Sequence, residues 1–507
     1  MTQHILVLDE GTTSTRAVLF DTASTVVDEE SRRLAVHTPS AAIVEQDATE
    51  IAEKSVDVLR SVLDRAEAAG RAVAAIGLTN QRTTTVLWDR ATGEPVAPVI
   101  GWQDSRAQQH VDSIKADWGA RFTAHTGLQL APANVVLHLA ALLEDPELRR
   151  RAEAGELLAG TPDSWVIWTL TGGPEGGRHV TSCSNAGSTG AFDLLTETWW
   201  QPWLDSIGVP VSLLPAVVLD DGDFGATAET VLGAALPIRS DFADQQAALF
   251  GHGGFEAGAV KCTHGTGSFI DFNVGGDLVI ADEGLDTRLA WRTADEVRYL
   301  YEGSSFVTGS AIDWLVDGIK VLRSAEDLDT VYDATPDTSG VICVPALAGF
   351  TAPYWDQTAR GAIFGLHRGV TDAHLVKATV DGIARTAADL VLFMAEKSGT
   401  TPAVVLVDGG LSRSNALLGA QANFTGVPVE RPAAAEYVTA RGAAWMAGLA
   451  VGVWGSREEA ARGVGEPRTY EPTLTDTELA AAQSSWTDAT NRALGWRPQS
   501  TPPQENQ

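Results

Sequence analysis

The 507-residue sequence predicts two duplicated α/β domains flanking a deep cleft, on three observations. The chain is too long for one hydrophobic core, and two domains of ordinary size are the default. Its first half alternates strand-like and helix-like segments, the mark of an α/β domain. A strand, a Gly-Thr turn and a second strand near the start, "LDEGTTSTRAVLFD", return in the second half as "CTHGTGSFIDFNVG".

In chain order, "ILVLD" (5–9), "RAVLFD" (16–21), "VAAIGLT" (73–79) and "TTTVLWD" (83–89) read as strands. A helix is expected over 48–69, capped by Asp47 and stopped by Gly70. The first two strands meet at a tip carrying Gly11 and four hydroxyl residues, Thr12, Thr13, Ser14 and Thr15, just after Asp9. Two readings stay open there. One is an ordinary β-turn, which favours glycine and serine. The other is a phosphate cradle, with backbone N–H groups converging on an anion and Mg²⁺ between that anion and Asp9.

Glycines cluster in "ALFGHGGFEAG" (248–258), so the domain boundary is expected there, giving domains 1–252 and 253–490 and a polar tail 491–507. Strand 404–407 then runs into Asp408-Gly409-Gly410, and a helix begins around Ser412 to Ser414 and stops near Gly426. Strand, glycine turn and helix N-terminus make either a plain βα loop or a nucleotide site.

Composition narrows the function. Apolar residues make up 44% and charged residues 20%, as in ordinary globular proteins. A formal net charge of -30 repels polyanions, which argues against nucleic-acid binding. A bound nucleotide must then rely on local backbone donors and a metal. Cys183, Cys262 and Cys343 form no disulfide or zinc pattern, which fits a reducing cytoplasm. The opening "MTQHILVLDE" is unlike a secretory signal, no apolar run is long enough for a membrane span, and "RPQSTPPQENQ" is expected to fray. Of the fifteen tryptophans, Trp165 and Trp168 sit at core spacing, and Trp199, Trp200 and Trp203 are expected to form a structural aromatic knot.

One stretch narrows the family. "GAIFGLHRGVTDAHLVKATVDG" (361–382) reads as a strand, a turn and a helix opened by Thr371 or Asp372. Leu375, Val376, Thr379, Val380 and Ile383 follow at helical spacing. It resembles the second sequence signature of the FGGY carbohydrate kinases, within the actin-like ATPase and sugar kinase superfamily. "LDEGTTSTRAV", "GLTNQRTTTVLWD", "GWQDSRA", "ADQQAALFGHG", "HGTGSF", "APYWDQTARGAIFGL" and "RGAAWMAGLAVGVW" are most similar to the glycerol kinases of that family.

The resemblance implies two ribonuclease H-like (actin/hexokinase-type) domains. It implies ATP- and Mg²⁺-dependent transfer of the γ-phosphate to a primary hydroxyl of glycerol, giving sn-glycerol 3-phosphate. A four- or five-carbon polyol or ketose (erythritol, threitol or xylulose-like) is the alternative acceptor, and a non-catalytic actin-fold regulator the remaining one. The expected partner is a small-molecule polyol, without nucleic acid or membrane span, in a homodimer or homotetramer.

By the same resemblance, Asp244 in "ADQQ" is the catalytic base, a role that needs only a carboxylate able to accept the hydroxyl proton. The other reading of Asp244 is a helix N-cap. Asp9 and Asp244 are the metal-side carboxylates. Thr12, Thr13, Ser14 and Arg16 match the first phosphate hairpin, and Gly265, Thr266 and Gly267 the second. Gly309 and Gly410 match positions beside adenine and ribose, and Ser414 stands where the family often has asparagine. His264 is expected to pack or hydrogen-bond near phosphate.

The acceptor residues are Arg82, Thr83, Trp102, Ala133, Asp244, Gln245 and Phe269. Two of them depart from the glycerol pattern: Thr83 replaces an acid and Ala133 a tyrosine. Both changes enlarge the pocket and remove polar contacts worth about 1–3 kcal/mol each. Upstream of the base, Ala235 falls where relatives controlled by fructose 1,6-bisphosphate carry an arginine, so that control is not expected.

Overall fold

The computed structural model describes residues 3–496. Of the expected polar tail 491–507, residues 491–493 instead close a helix, Asp476–Ala493, with Ala493 buried, and the stretch expected to fray, 497–507, lies outside the described residues. The first sheet is built from β1 (Gln3–Glu10), β2 (Ser14–Phe20) and β3 (Val26–Arg33), then, after helix α1 (Ala48–Ala68), β4 (Ala72–Asn80) and β5 (Ile238–Ala243). Its order is β5-β4-β1-β2-β3. β1 pairs antiparallel with β2 and parallel with β4, in a register that sets Asp9 between Arg16 and Thr79.

Both faces of β1 are buried, which explains its unbroken apolar run. Leu6 and Leu8 pack with Ile51 and Leu59 of α1 on one side. Ile5 and Val7 pack on the other side against a helix contributed by the second half of the chain. Helix α1 forms where expected: Asp47 accepts from Thr49 N and Glu50 N, and Gly70 follows at φ 67°.

After α2 (Asp244–Gly251), the second sheet repeats the plan. Its strands are β6 (Val260–His264), β7 (Ser268–Gly275), β8 (Asp286–Arg292) and β9 (Val297–Ser305). Then come α3 (Gly309–Asp313), α4 (Asp372–Ser398), β10 (Val405–Asp408), α5 (Asn415–Thr425), β11 (Val429–Arg431), α6 (Val438–Ala450) and β12 (Arg468–Tyr470). The order is β8-β9-β7-β6-β10-β11-β12. Strands β9-β7-β6-β10-β11 reproduce β3-β2-β1-β4-β5, with β8 and β12 added at the edges. The duplication suggested by the two Gly-Thr turns is therefore a duplication of sheets. Helices α4 and α5 cover one face through Leu390, Val391, Met394 and Leu418.

α6 lies on the first sheet, not the second. A Cβ at Gly442 would stand 1.9 Å from Ala247 O, and one at Gly77 2.7 Å from Ala443 O, so backbones touch where only glycine fits. Tryptophans behave as expected. Trp165 and Trp168 pack in the first core, and Trp200 and Trp203 stack with centroids 6.1 Å apart. Among the described residues no helix is long and apolar enough to cross a membrane.

Three local expectations change. Strand 83–89 starts only at Val86, because Thr83 adopts φ 53°, a left-handed backbone that ends extended structure. Asp244 is the first residue of α2, not its cap: Ala243 holds the cap position and Asp244 Oδ1 accepts from the adjacent Gln245 N at 2.8 Å. A short 3₁₀ turn, Gly410–Arg413, precedes α5.

Candidate active site

The C-terminal ends of β4 and β5 are parallel neighbours, with Asn80 opposite Ala243. Two residues beyond the end of β4 stands Arg82, and at the end of β5 stands Asp244. A buried polar network fixes both ends. Asn185 Nδ2 donates to Asn80 Oδ1 at 2.9 Å and to Asp241 Oδ1 at 3.2 Å, while Ser182 N donates to Asp241 Oδ2 at 2.9 Å. Burial and the facing Asp163 raise the Asp241 carboxyl far above the usual range.

From this base a charged row crosses the cleft floor. Arg82 Nε lies 3.2 Å from Asp244 Oδ1, and its Nη2 2.6 Å from Glu302 Oε2 on β9. Arg288 Nε of β8 lies 2.9 Å from Glu302 Oε1, and its Nη2 2.7 Å from Asp286 Oδ2. Burial alone would raise the Glu302 carboxyl, but Arg288 and Arg82 hold it down at about 2. Asp244 goes the other way: burial raises its pKa, against the pull of Arg82, and its side chain stays 30% exposed. A partly desolvated carboxylate at a helix start, beside a fixed guanidinium, can take a proton from a hydroxyl.

A cavity of about 640 Å³ opens over this row. All seven acceptor residues expected from sequence line it: Arg82, Thr83, Trp102, Ala133, Asp244, Gln245 and Phe269. Trp102 meets Phe269 edge to face, centroids 6.0 Å apart. Gln245 is held by Lys261, whose Nζ donates to its Oε1 and sits 2.8 Å from the fully buried Asp271.

The first hairpin tip adjoins the cavity. Thr12 lines it, and its hydroxyl accepts from Trp102 Nε1 at 3.1 Å. Gln46 Nε2 donates to Thr12 O at 2.8 Å and Gln81 Nε2 to Gln46 Oε1 at 2.9 Å, tying the tip to the β4 end. Gly11 N closes the turn on Ser14 O at 3.0 Å. Thr13 is exposed and Ser14 half-buried, whereas Thr15 turns inward to Ser55 and the buried Glu10. Arg16 bonds Asp9 Oδ2 at 2.9 Å and Glu436 O at 2.9 Å, so it orients Asp9 and bridges the two halves of the chain.

The second hairpin is tighter. Gly265 N bonds Gly267 O at 2.8 Å, and Thr266 O accepts from Thr308 N at 3.0 Å. Gly309 N reaches Gly265 O at 3.0 Å, docking the start of α3 on the turn. Gly410 lines a separate cavity of about 290 Å³ with Gly409, Arg413, Arg431 and Glu436. Ser414 lines neither cavity: its hydroxyl caps α5 through Leu417 N and donates to Asp329. His264 is buried, bonded to Ser268 Oγ and Gln421 Oε1 at 2.8 Å each.

The residues suit ATP and Mg²⁺. A Cβ at Gly267 would fall 2.4 Å from Ser305 O, and one at Gly309 2.7 Å from Gly265 O, so these turns present backbone without room for side chains. Among the described residues no group of three or more His, Cys, Asp and Glu could cage a metal. A lone hard carboxylate such as Asp9 is the donor set of an ion that keeps its waters and binds substrate phosphates. Sequence reading missed Glu302, Arg288 and Asp286. The signal was present: Asp286 and Arg288, two apart in an apolar strand, point to one face.

A family model for the N-terminal domain of the FGGY family of carbohydrate kinases matches residues 4–251, and one for its C-terminal domain matches 260–451. The chain is 42% identical to a glycerol kinase of Aromatoleum aromaticum, over 97% of this chain and 99% of that one. It is 40% identical to glycerol kinase 2 of Thermotoga maritima over the same shares. A solved Plasmodium falciparum glycerol kinase with ADP superposes with TM-score 0.92 at 27% identity, covering 97% and 98% of the two chains. A xylulose kinase from Lactobacillus acidophilus, at TM-score 0.84 and 21% identity over 97% of each chain, shares the fold.

Proposed function

The chain belongs to the FGGY family of carbohydrate kinases, and from that premise we propose that it transfers the γ-phosphoryl group of ATP to a primary hydroxyl of glycerol, giving sn-glycerol 3-phosphate. The observation that carries this reading is the placement of Asp244. It stands at the start of α2, in a cavity that also reaches the first hairpin through Thr12. Its carboxylate accepts the hydroxyl proton as the acceptor oxygen attacks. Arg82, 3.2 Å away, offsets part of the burial that raises the Asp244 pKa. Trp102 and Phe269 form an apolar edge for the carbon backbone and exclude water.

Thr12, Thr13 and Ser14 on one side and Gly265, Thr266 and Gly267 on the other hold the phosphates. Asp9, oriented by Arg16, would hold Mg²⁺, and the ion would supply charge neutralisation on the transferring group. Gly309 and Gly410 flank the nucleoside, and Ser414 supports it through the α5 cap. We divide the chain into domains 1–252 and 253–490, at the glycine-rich stretch after α2. We place the reaction in the cytoplasm, in keeping with three buried free cysteines, and in a homodimer or homotetramer.

The test is Asp244→Asn. ADP binding by calorimetry should persist, while phosphorylation falls by about 10²–10⁴-fold, the usual worth of a positioned base. Near-wild-type turnover by this variant would remove Asp244 from the role.

A further inference from the structure

Five charged groups line one floor in alternation: Asp244, Arg82, Glu302, Arg288 and Asp286. Proton transfer uses only the first two. Asp286 and Arg288, at the other end of the row, have no part in it, yet both line the acceptor cavity. Both guanidinium groups are more than nine-tenths buried, Arg82 at 8% and Arg288 at 7% exposure. Arg82 Nη1 and Arg288 Nη1 have no hydrogen-bond partner among the described residues. Both residues line the cavity, so a ligand there can satisfy these unmade donors.

The space beside them is open. Thr83 and Ala133 are small, and the cavity of about 640 Å³ far exceeds a three-carbon polyol. Asp286 is itself anchored, accepting from Gln129 N at 2.8 Å, so its carboxylate is a fixed feature. A carboxylate beside a guanidinium presents an acceptor next to a donor, the pattern that a pair of neighbouring hydroxyls satisfies. Charge sets the class further. The row carries three carboxylates against two guanidinium groups, so an anionic acceptor would meet repulsion and a neutral one would not.

We propose that Asp286 and Arg288 form a second recognition end of the acceptor pocket, which binds the terminal diol of an uncharged linear polyol longer than glycerol. A tetritol or pentitol then spans the row, one primary hydroxyl at Asp244 and the far diol at Asp286 and Arg288. Glycerol leaves the far donors unmade and is the poorer acceptor. This rests on reading the site as a polyol kinase: glycerol stays an acceptor, and the longer polyol is the one selected over it.

The experiment measures kcat/KM with ATP for glycerol, erythritol, D-threitol, xylitol and the anionic erythronate, in the wild type, Arg288→Met and Asp286→Asn. The expected wild-type result is a four- or five-carbon polyol preferred over glycerol by about tenfold or more, with erythronate unused. Each variant should lower the long-polyol to glycerol ratio by about 10–100-fold, the worth of one or two hydrogen bonds to a buried charge. A merely structural role would lower all acceptors together and leave the ratio flat. If Arg288→Met does not fold, Asp286→Asn, which keeps shape and removes only charge, carries the same test. Glycerol preferred in the wild type, or ratios unmoved by both variants, overturns the proposal and leaves the kinase reading standing. Phosphorylation of none of these acceptors overturns both.

Discussion

At Thr83 the backbone is left-handed, φ 53°, a conformation that a β-branched side chain tolerates poorly. The strain sits at the wall of the cavity that Ala133 also lines. Thr83→Glu removes the branching and adds acceptors for hydroxyl groups, and Ala133→Tyr closes the far space. Each should raise the ratio of kcat/KM for glycerol over erythritol, and the double variant should depart from additivity because both residues meet one small ligand. A ratio flat across the four variants would refute the enlarged-pocket argument. Glu10 makes a different residue-scale case. Burial raises its carboxyl to about 8, only partly offset by Thr15 and Ser55, and its Oε1 has no partner. Between the ordinary value of 4.5 and about 8 the folded state binds a proton that the unfolded chain has released, so stability falls as pH rises across that window. Glu10→Gln should abolish that slope, about 1.4 kcal/mol per pH unit at most, and thermal melts should show its gain over wild type growing from pH 5 to 8. Much of the cavity lining was legible because its residues cluster in short motifs, "NQR" and "ADQQ". Glu302 was not, and the Asp286–Arg288 spacing showed a shared face but not that Glu302 of a neighbouring strand would meet it.

The two hairpins are the elements that hold this site, and they differ in how they are built. The first is an open turn whose hydroxyls divide, Thr12 toward Trp102 and Thr15 into the core. In the second, glycine is required by contact, since a Cβ at Gly267 would meet Ser305 O at 2.4 Å. Gly267→Ala should therefore displace the turn, raising KM for ATP about tenfold or more while leaving the order of acceptor preference intact. Steady-state kinetics with ATP varied at saturating polyol would check this, and an altered acceptor order would contradict it. The Gly-Thr turns and flanking apolar runs made both hairpins readable from sequence. The start of α2 was misjudged by one position, because a residue that caps a helix and one that opens it share the same composition.

For the molecule as a whole, regulation is the property that sequence alone addressed. The loop from Gly233 to β5 carries Ala235 and no cluster of basic side chains, so fructose 1,6-bisphosphate should leave activity unchanged at millimolar concentration. Clear inhibition in a coupled ADP-release assay would overturn this. The duplicated architecture was legible, since each half repeats one pattern. The placement of α6 was not, because an apolar helix near residue 440 carries no mark of which sheet it will cover. That placement bears on how the protein is made. Ile5, Val7, Val18 and Phe20 share their core with Ala440, Ala443, Ala444 and Trp445. At about 5–20 residues per second, the ribosome needs about 10–40 s to pass from the end of α2 to the end of α6. Through that interval Ala247, Leu249 and Phe250 of α2 share that side of the first sheet without α6, and nascent chains crowded on one messenger can stick to each other at the part left open.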